Sequence, residues 1–260
     1  MAVVDAAHEG ASCRVHLKVE TGVNRQGIII DELDSVFGMS ALACGLQVVG
    51  VSGHYADIED TTDRRFAQRQ MSRFTEFGHA LAQRGYESLC RHMSCSAAAI
   101  LWDESHFDMV RVGISGYGIG PWPQTRISAR HLGYGELPLR PVMTWKCRLA
   151  QIKEVARGES VGYGRIWKAP IDSCIGVLPV GYSDGYPRAL SSLAHVLVRG
   201  YRMPISGRIC MNLTMVDASS AAGDEVVLLG RQAEEQISAE HLAGLLNTIS
   251  YEIVTLSGPT

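Results

Sequence analysis

The sequence predicts an α/β region followed by a mostly antiparallel β region. In the first half, strand-like and helix-like segments alternate, and each strand-like segment ends in a polar or glycine-bearing loop. Such alternation requires crossover connections and therefore a parallel sheet, in an open or a barrel arrangement. After the Gly- and Pro-rich residues 116–123, short apolar segments are separated by Gly- and Asp-bearing turns, which is typical of antiparallel strands.

The first half opens with a strand, a helix and a second strand. Residues 13–20 alternate apolar and polar side chains and end at Thr21-Gly22, so they predict a strand followed by a loop. Residues 31–44 repeat apolar side chains at helical spacing, and Gly45 is suited to leaving a helix. Residues 46–51 form a short apolar run of the kind that a parallel sheet buries on both faces.

Two further rounds follow. A helix is predicted to begin at Thr62 or Asp63 and to end at Gly85, since Phe66, Phe74, Phe77 and Leu81 form one stripe. The third round comprises a strand-like segment near residues 89–93, a small helix at 96–100 and another strand-like segment at 108–113.

The second half is predicted to be mainly β. One helix interrupts it, from Ser238 as the N-cap to Leu246, with Asn247 as the exit residue. The candidate strands are residues 143–155, 173–180, 195–198, 205–211, 225–229 and a final one at 249–256.

Composition excludes several classes of function. Lys+Arg 24 against Asp+Glu 27, with no basic block, argues against a nucleic-acid partner. No run approaches the ~20 apolar residues of a membrane span, and the N-terminal residues lack a signal core. Seven scattered cysteines without a Cys-x-x-Cys pair fit reduced thiols, so we expect a cytoplasmic protein that does not contact membranes.

Candidate functional residues follow the predicted strands of the first half, where parallel α/β architectures bind ligands. Basic groups, a hydroxyl at a helix start and backbone N–H groups beside glycine suggest a pocket for a phosphate-bearing ligand. A lone lysine, arginine or histidine at a strand end is, however, more often solvated or structural. The candidates are Lys18, Arg25, His54 with Asp57, Ser96, Arg111, Gly113 and Ile114.

A metal site is the weaker alternative. His54, Asp57, Glu59 and Asp60 could form part of one, but such sites normally recruit further ligands from other strand ends. His92 lies in a strand-like segment and suggests no further ligand. A serine nucleophile elbow is also missing, so we expect neither a metal nor a hydrolase triad.

Nine segments resemble landmarks of the alanine racemase family, in the same order along nearly the whole chain. They are residues 16–25 (HLKVETGVNR), 53–57, 94–98, 111–114 with Tyr117-Gly118, 162–164, 181–188, 205–211, 223–226 and 248–252.

The resemblance implies the second half of a (β/α)8 TIM-type barrel over residues 1–136, followed by an alanine racemase-type β domain over 137–260. It also implies pyridoxal 5'-phosphate as cofactor and a head-to-tail homodimer. In such enzymes the Cα proton of an amino acid is removed on one face and returned on the other, which needs two bases.

The resemblance further implies roles for single residues. Arg111 would lie against the pyridine nitrogen with His54 as its support, and Arg25 would face substrate and cofactor oxygen with Lys18 positioning it. Ser96 and the backbone of Gly113 and Ile114 would hold the phosphate. Met211 would reach the partner subunit's site.

Three features depart from the family pattern. The chain has only Lys18, Lys146, Lys153 and Lys168, none in the motif that holds the cofactor-binding lysine. Trp167 stands where a base tyrosine is expected, although indole N–H is a donor only. Asn212 replaces the usual Asp. We therefore expect an incomplete chain that, alone, shows no imine absorbance with the cofactor and no racemisation.

The leading hypothesis is an enzyme that interconverts L- and D-alanine for peptidoglycan precursors. One alternative is a non-catalytic remnant or partner subunit that keeps the phosphate pocket and the β domain. Another is a racemase for a different amino acid, for which Trp167 is the only hint.

Overall fold

The computed structural model describes residues 13–38, 46–59, 63–121, 123–217 and 223–256. The chain divides into two units, Met1–Arg140 and Pro141–Thr260. The first combines a parallel sheet with helices and the second is mainly antiparallel β, so the α/β-then-β order matches the sequence prediction.

The sheet of the first unit consists of β1 (Cys13–Lys18), β2 (Leu46–Ser52) and β3 (Cys90–His92), which pair in parallel in that order. Lys18 pairs with Ser52, and Ser52 pairs with His92. The last residues of the three strands therefore lie in one row, and the loops that follow them leave from one edge of the sheet.

Four α-helices lie in the first unit's described residues: α1 (Leu33–Gly38), α2 (Arg65–Ala82), α3 (Ser96–Leu101) and α4 (Pro123–His131). A 3-10 turn, Ile30–Glu32, precedes α1. Three members of the predicted stripe on α2, Phe74, Phe77 and Leu81, are buried in the core, and burying a ring such as Phe74 contributes about 2–3 kcal/mol. Phe66, the fourth member, is 39% exposed.

Two predictions in the first unit need correction. The helix predicted over residues 31–44 begins as the 3-10 turn and continues as α1, and its predicted end lies outside the described residues, as does Thr62. The strand predicted over residues 108–113 is irregular. Asp108 and Arg111 donate to Arg91 O and Ser94 O, and this spacing of three is not that of a strand ladder.

The strands of the second unit form two antiparallel sheets and a two-stranded pair. The first sheet has the order β10, β9, β12, β13, with β4 also pairing with β12, and the second has the order β11, β8, β5, while β6 pairs with β7. The bounds are β4 (Trp145–Arg148), β5 (Gln151–Val155), β6 (Ser160–Val161), β7 (Trp167–Lys168), β8 (Ser173–Leu178), β9 (His195–Val198), β10 (Tyr201–Pro204), β11 (Thr214–Asp217), β12 (Glu225–Gln232) and β13 (Glu235–Ile237).

Two helices close the second unit, α5 (Ala239–Leu246) and α6 (Ser250–Leu256). Ser238 accepts a hydrogen bond from the backbone of His241, and Asn247 adopts the left-handed conformation, as the sequence predicts for these two caps.

Three β predictions in the second unit were wrong. The strand over residues 143–155 is two strands in different sheets, since Leu149 N bonds to Asp224 O and Ala150 N to Val177 O. The strand over 205–211 is mostly a loop, because after the bridge of Ile205 to Val216 the chain enters a turn in which Cys210 N donates to Leu213 O at 2.8 Å. The final strand is α6, whose buried residues Ser250, Ile253 and Val254 have helical spacing.

Candidate functional site

The functional residues predicted in the first unit gather where its parallel strands end. Lys18 ends β1, His54 follows β2, Ser96 begins α3 directly after β3, and Arg111 and Gly113 follow later in the chain. Hydrogen bonds join Arg111 to His54 and Gly113 to Ser96. We call this group, together with His92 and Arg25, the strand-end site.

Arg111 is the most heavily bonded side chain of the strand-end site. Its Nη2 donates to Gly53 O at 2.8 Å, to His54 Nδ1 at 3.2 Å and to Met93 O at 3.3 Å. Its Nη1 donates to His92 Nδ1 at 2.5 Å and to His92 O at 3.1 Å. These acceptors come from the ends of two neighbouring strands, so the guanidinium is held in one orientation.

A second histidine contact extends this network beyond the predicted residues. His92 Nε2 lies 2.6 Å from His16 Nδ1. An arginine can only donate, so His92 Nδ1 must accept from Arg111. His92 Nε2 then carries the proton and donates to His16 Nδ1, which places the proton of a neutral His16 ring on its own Nε2. The donor-only chemistry of Arg111 thus sets the tautomer of both rings.

Neither His16 nor His92 was predicted to have a functional role. The available signal was that His16 precedes Lys18 by two residues on β1, and residues two apart on a strand share a face. His92, at the end of β3, could be joined to them only once the strand order and pairing were known.

The positive charge of the strand-end site lies on its arginines and lysine, while its two histidines stay neutral. Burial, followed by the charges of Lys18 and Arg111, lowers the pKa of His54 to about 4. Burial and the charge of Arg111 lower the pKa of His92 to about 4. Burial and the charges of Arg111 and Arg25 lower the pKa of Lys18 to about 8. This accumulation of positive charge favours an anionic ligand.

Beside Arg111, hydroxyl and amide groups form a cradle suited to a phosphate. Ser96 is 4% exposed, and its Oγ accepts from the backbone N–H of Gly113 at 3.0 Å and of Ser115 at 3.4 Å. Both contacts use the oxygen as acceptor, so the hydroxyl proton can still be donated to an anion.

Two further observations support a phosphate at this cradle. The buried Ser115 hydroxyl has no hydrogen-bond partner within the described residues, which leaves it able to donate to a ligand. A Cβ atom placed on Gly113 would approach only Ser96 Oγ, at 4.0 Å, so the space above the cradle is open. Ile114 follows with its side chain buried at 2% exposure.

The remaining predicted site residues, Trp167 and Met211, lie in the second unit. Met211 is 60% exposed, and its carbonyl accepts from the backbone N–H of Ser183 at 2.8 Å. Trp167 is half-buried on β7, where it pairs with Val161 of β6.

The exposure of Tyr163 could not be predicted from the sequence. It lies between Gly162 and Gly164, whose φ values are +75° and +73°, and it is 72% exposed. Both neighbours have a conformation that favours glycine. The backbone is therefore shaped around an outward-facing phenol.

The structure offers little support for the metal alternative. His54 Nδ1 is engaged by Arg111, Asp57 is exposed, and Asp60 lies outside the described residues. Among the residues that the structure describes, no group of three or more His, Cys, Asp or Glu side chains could hold a metal ion. Within the same residues, each helix is too short or too polar to span a bilayer.

Comparison with protein families gives two matches that together cover most of the chain. The model for "Alanine racemase, N-terminal domain" matches residues 2–121. The model for "Alanine racemase, C-terminal domain" matches residues 142–260.

Curated relatives agree. The alanine racemase of Leptospira interrogans is 36% identical over 247 residues, covering 93% of this chain and 63% of the relative. That of Desulfosudis oleivorans is 40% identical over 263 residues, covering 95% of this chain and 64% of the relative. The chain thus spans less than two thirds of the length of these relatives.

Solved structures resemble the chain over nearly its whole length. The alanine racemase of Bacillus anthracis with bound L-Ala-P superposes with a TM-score of 0.86 at 29% identity, covering 98% of this chain and 66% of that one. The alanine racemase of a D-cycloserine-producing Streptomyces lavendulae gives a TM-score of 0.83 at 34% identity, covering 99% and 67%.

Proposed function

The chain belongs to the alanine racemase family, and we propose that it takes part in the interconversion of L- and D-alanine with pyridoxal 5'-phosphate as cofactor. We further propose that the parallel sheet of the first unit is part of the second half of a (β/α)8 barrel. The observation that carries the functional proposal is Arg111, fixed by two strand ends beside the cradle of Ser96 and Gly113.

The residues present fit this cofactor. Ser96 and the backbone of Gly113 and Ile114 would hold the phosphate, and the unpartnered Ser115 hydroxyl would be a further donor for it. Arg111 would donate a hydrogen bond to the pyridine nitrogen. When bound, pyridoxal 5'-phosphate supplies an electron sink that acidifies the Cα proton of an amino acid.

Arg111 would limit how strongly the cofactor ring acts as an electron sink. A guanidinium does not give up its proton in a protein, so it would hydrogen-bond the nitrogen without protonating it. His54 and His92 support Arg111 only as neutral acceptors, and their lowered pKa values keep them neutral at physiological pH. Lys18 would help to position Arg25, which would face the carboxylate of the substrate and the cofactor oxygen.

Of the two aromatic candidates for a proton-transferring base in the second unit, Tyr163 fits better than Trp167. A phenolate accepts a proton, whereas an indole N–H can only donate. Tyr163 is also the more exposed of the two, since Trp167 is half-buried in its strand pairing. In a holo-protein that racemises alanine, Tyr163→Phe should lower the rate about 100-fold or more, while Trp167→Phe retains most of it.

A second copy of the chain is the proposed partner. Tyr163 and Met211 belong to what we call the loop surface of the second unit, formed by residues 162–166, 181–183 and 208–213 and bearing the exposed apolar side chains Tyr163, Ile166, Tyr182, Met211 and Leu213. Clustered exposed apolar side chains favour a protein interface. Met211 of one protomer would then reach the strand-end site of its partner.

The proposed setting is the cytoplasm, where D-alanine supplies peptidoglycan precursors. The cysteines that the structure describes are all free thiols, which fits a reducing compartment.

The cofactor proposal is tested by equilibrium binding of pyridoxal 5'-phosphate and of pyridoxal to the 260-residue chain. Ser96→Ala should weaken binding of the phosphorylated form about tenfold and leave that of pyridoxal unchanged, since it removes one hydroxyl donor. Ser72→Ala, on the exposed face of α2, is the control. Equal affinity for the two ligands in the unmodified chain would refute a phosphate site.

A further inference from the structure

The loop that carries Arg25 is closed at its base by backbone contacts. Glu20 N donates to Ile28 O at 2.9 Å, and Ile28 N donates to Lys18 O at 3.0 Å. At Gly27, φ is +128° and a Cβ atom would lie 2.6 Å from Glu20 N, so only glycine allows this approach. The chain leaves β1 and returns beside it within ten residues.

Inside the loop, the carboxylate of Glu20 is surrounded by backbone N–H groups. Oε1 accepts from Gly22 N at 2.5 Å, and Oε2 accepts from Arg25 N at 3.3 Å. Gly22 and Asn24 have φ values of +133° and +55°, which turn the intervening amides inward. Partial burial raises the pKa of Glu20, but hydrogen bonds from the amides of residues 22–25 outweigh it and hold the pKa below its usual value.

The outer side of the loop is attached to α2. Arg73 Nη1 donates to Thr21 O at 3.3 Å, and Gln70 Nε2 lies 3.4 Å from Thr21 Oγ1. Base and outer side are therefore held by other elements, whereas the segment that carries Arg25 is held by Glu20.

We propose that Glu20 is the positioning residue for Arg25: its ionised carboxylate fills the ring of amides of residues 22–25 and fixes the backbone from which the Arg25 side chain extends. The use of Arg25 for substrate and cofactor rests on the proposed function, but the loop mechanism does not. A glutamine at this position would present one acceptor and one NH₂ donor, and the donor would face a backbone N–H.

The test is NMR on the cofactor-free 260-residue chain. In E20Q, amide hydrogen exchange at Gly22 and Arg25 should accelerate about tenfold or more, and the Gly22 amide proton should move upfield. Order at the Arg25 side-chain Nε–Hε should fall. E20D keeps the charge and should therefore show a smaller change than E20Q in each of these measurements. E32Q is the matched control, because Glu32 Oε2 also accepts a backbone bond, from Ile29 N at 2.9 Å, outside this ring.

Unchanged exchange and unchanged Arg25 order in E20Q would overturn the proposal. If E20Q does not fold, the unmodified chain decides, since the amides of Gly22 and Arg25 must exchange more slowly than that of the exposed Gln26. Equal rates would overturn it as well. Failure of pyridoxal 5'-phosphate to bind would count against the proposed function alone, because these measurements contain no cofactor.

Discussion

The strand-end site of the first unit and the loop surface of the second unit are organised by different means. In the strand-end site, side chains hold one another: Arg111 is bonded to both His54 and His92. On the loop surface, Tyr163 and Met211 are 72% and 60% exposed, and what is fixed there is the backbone. The first region is thus preorganised in its side chains, and the second presents side chains on a shaped backbone for contact with another molecule.

The largest expected effect concerns the backbone of the loop surface. A Cβ atom on Gly181 would lie 2.3 Å from Cys210 O, and a backbone atom cannot move aside cheaply. Gly181→Ala should therefore lower the free energy of unfolding by about 3 kcal/mol. Gly244→Ala, in α5 with no atom within 4 Å of the new methyl, should instead raise it by about 0.5–1 kcal/mol. Denaturant unfolding measures the free energy of unfolding of both variants. Equal changes in the two variants would contradict the inference that close backbone packing at Gly181 shapes the loop surface.

The next prediction concerns the loss of Arg111 from the strand-end site. Arg111→Ala removes the donor that both His54 and His92 accept, so affinity for pyridoxal 5'-phosphate should fall about 100-fold. Arg91→Ala is the control, since Arg91 on β3 pairs with Asp108 at the surface. Fluorescence titration provides the affinities. A similar loss in both variants would show that general charge, and not the fixed guanidinium, binds the ligand.

A smaller effect appears in acid. His54 and His92 titrate near 6.5 when unfolded and have a pKa of about 4 in the fold, so the unfolded chain takes up protons first. The free energy of unfolding should be unaffected above about pH 6.5 and fall as the pH drops towards 4. His92→Gln should make this dependence shallower by about 1.4 kcal/mol per pH unit.

Chemical denaturation across that pH range measures the slope. His79→Gln, the same substitution at an exposed position on α2, is the matched control. Identical slopes for all three proteins would mean that burial and the charge of Arg111 do not hold His92 neutral.

The last prediction concerns the stability of variants at Tyr163 and Trp167. Tyr163→Phe should change the free energy of unfolding by less than about 0.5 kcal/mol, since the phenol is exposed. Trp167→Phe should cost about 1 kcal/mol because it removes half-buried ring atoms from the β6–β7 pairing. Thermal unfolding distinguishes the two variants. A large loss of stability in Tyr163→Phe would mean that the phenol is buried and does not lie at the surface.

Several fold predictions failed for identifiable physical reasons. Residues 249–256 are a short apolar segment that fits a strand or a helix, and packing of Ser250, Ile253 and Val254 selects the helix. Residues 205–211 have a strand-like composition, but after the bridge of Ile205 to Val216 they lead into a turn closed by Cys210 N and Leu213 O. Local pattern does not distinguish these cases, because tertiary contacts override it.

The candidate site was more predictable than some of the elements around it. Lys18, His54, Ser96 and Arg111 could be selected because the carboxyl ends of parallel strands share one edge. The contact of His16 with His92 could not, since 76 residues separate them and only the pairing of β1, β2 and β3 brings them together. The preference for Tyr163 over Trp167 likewise needed the exposure of each ring.

The order of the α/β and β regions, the family resemblance and most groups able to bind a phosphate can be read from the sequence, because periodicity, turn residues and side-chain chemistry are local properties. The folded chain is needed to establish which nitrogen of His92 accepts, why Glu20 faces the amides of its own loop, and which aromatic residue faces outward. Those properties depend on distances between atoms far apart in the chain, and they exist only once the strands have paired and the loops have closed.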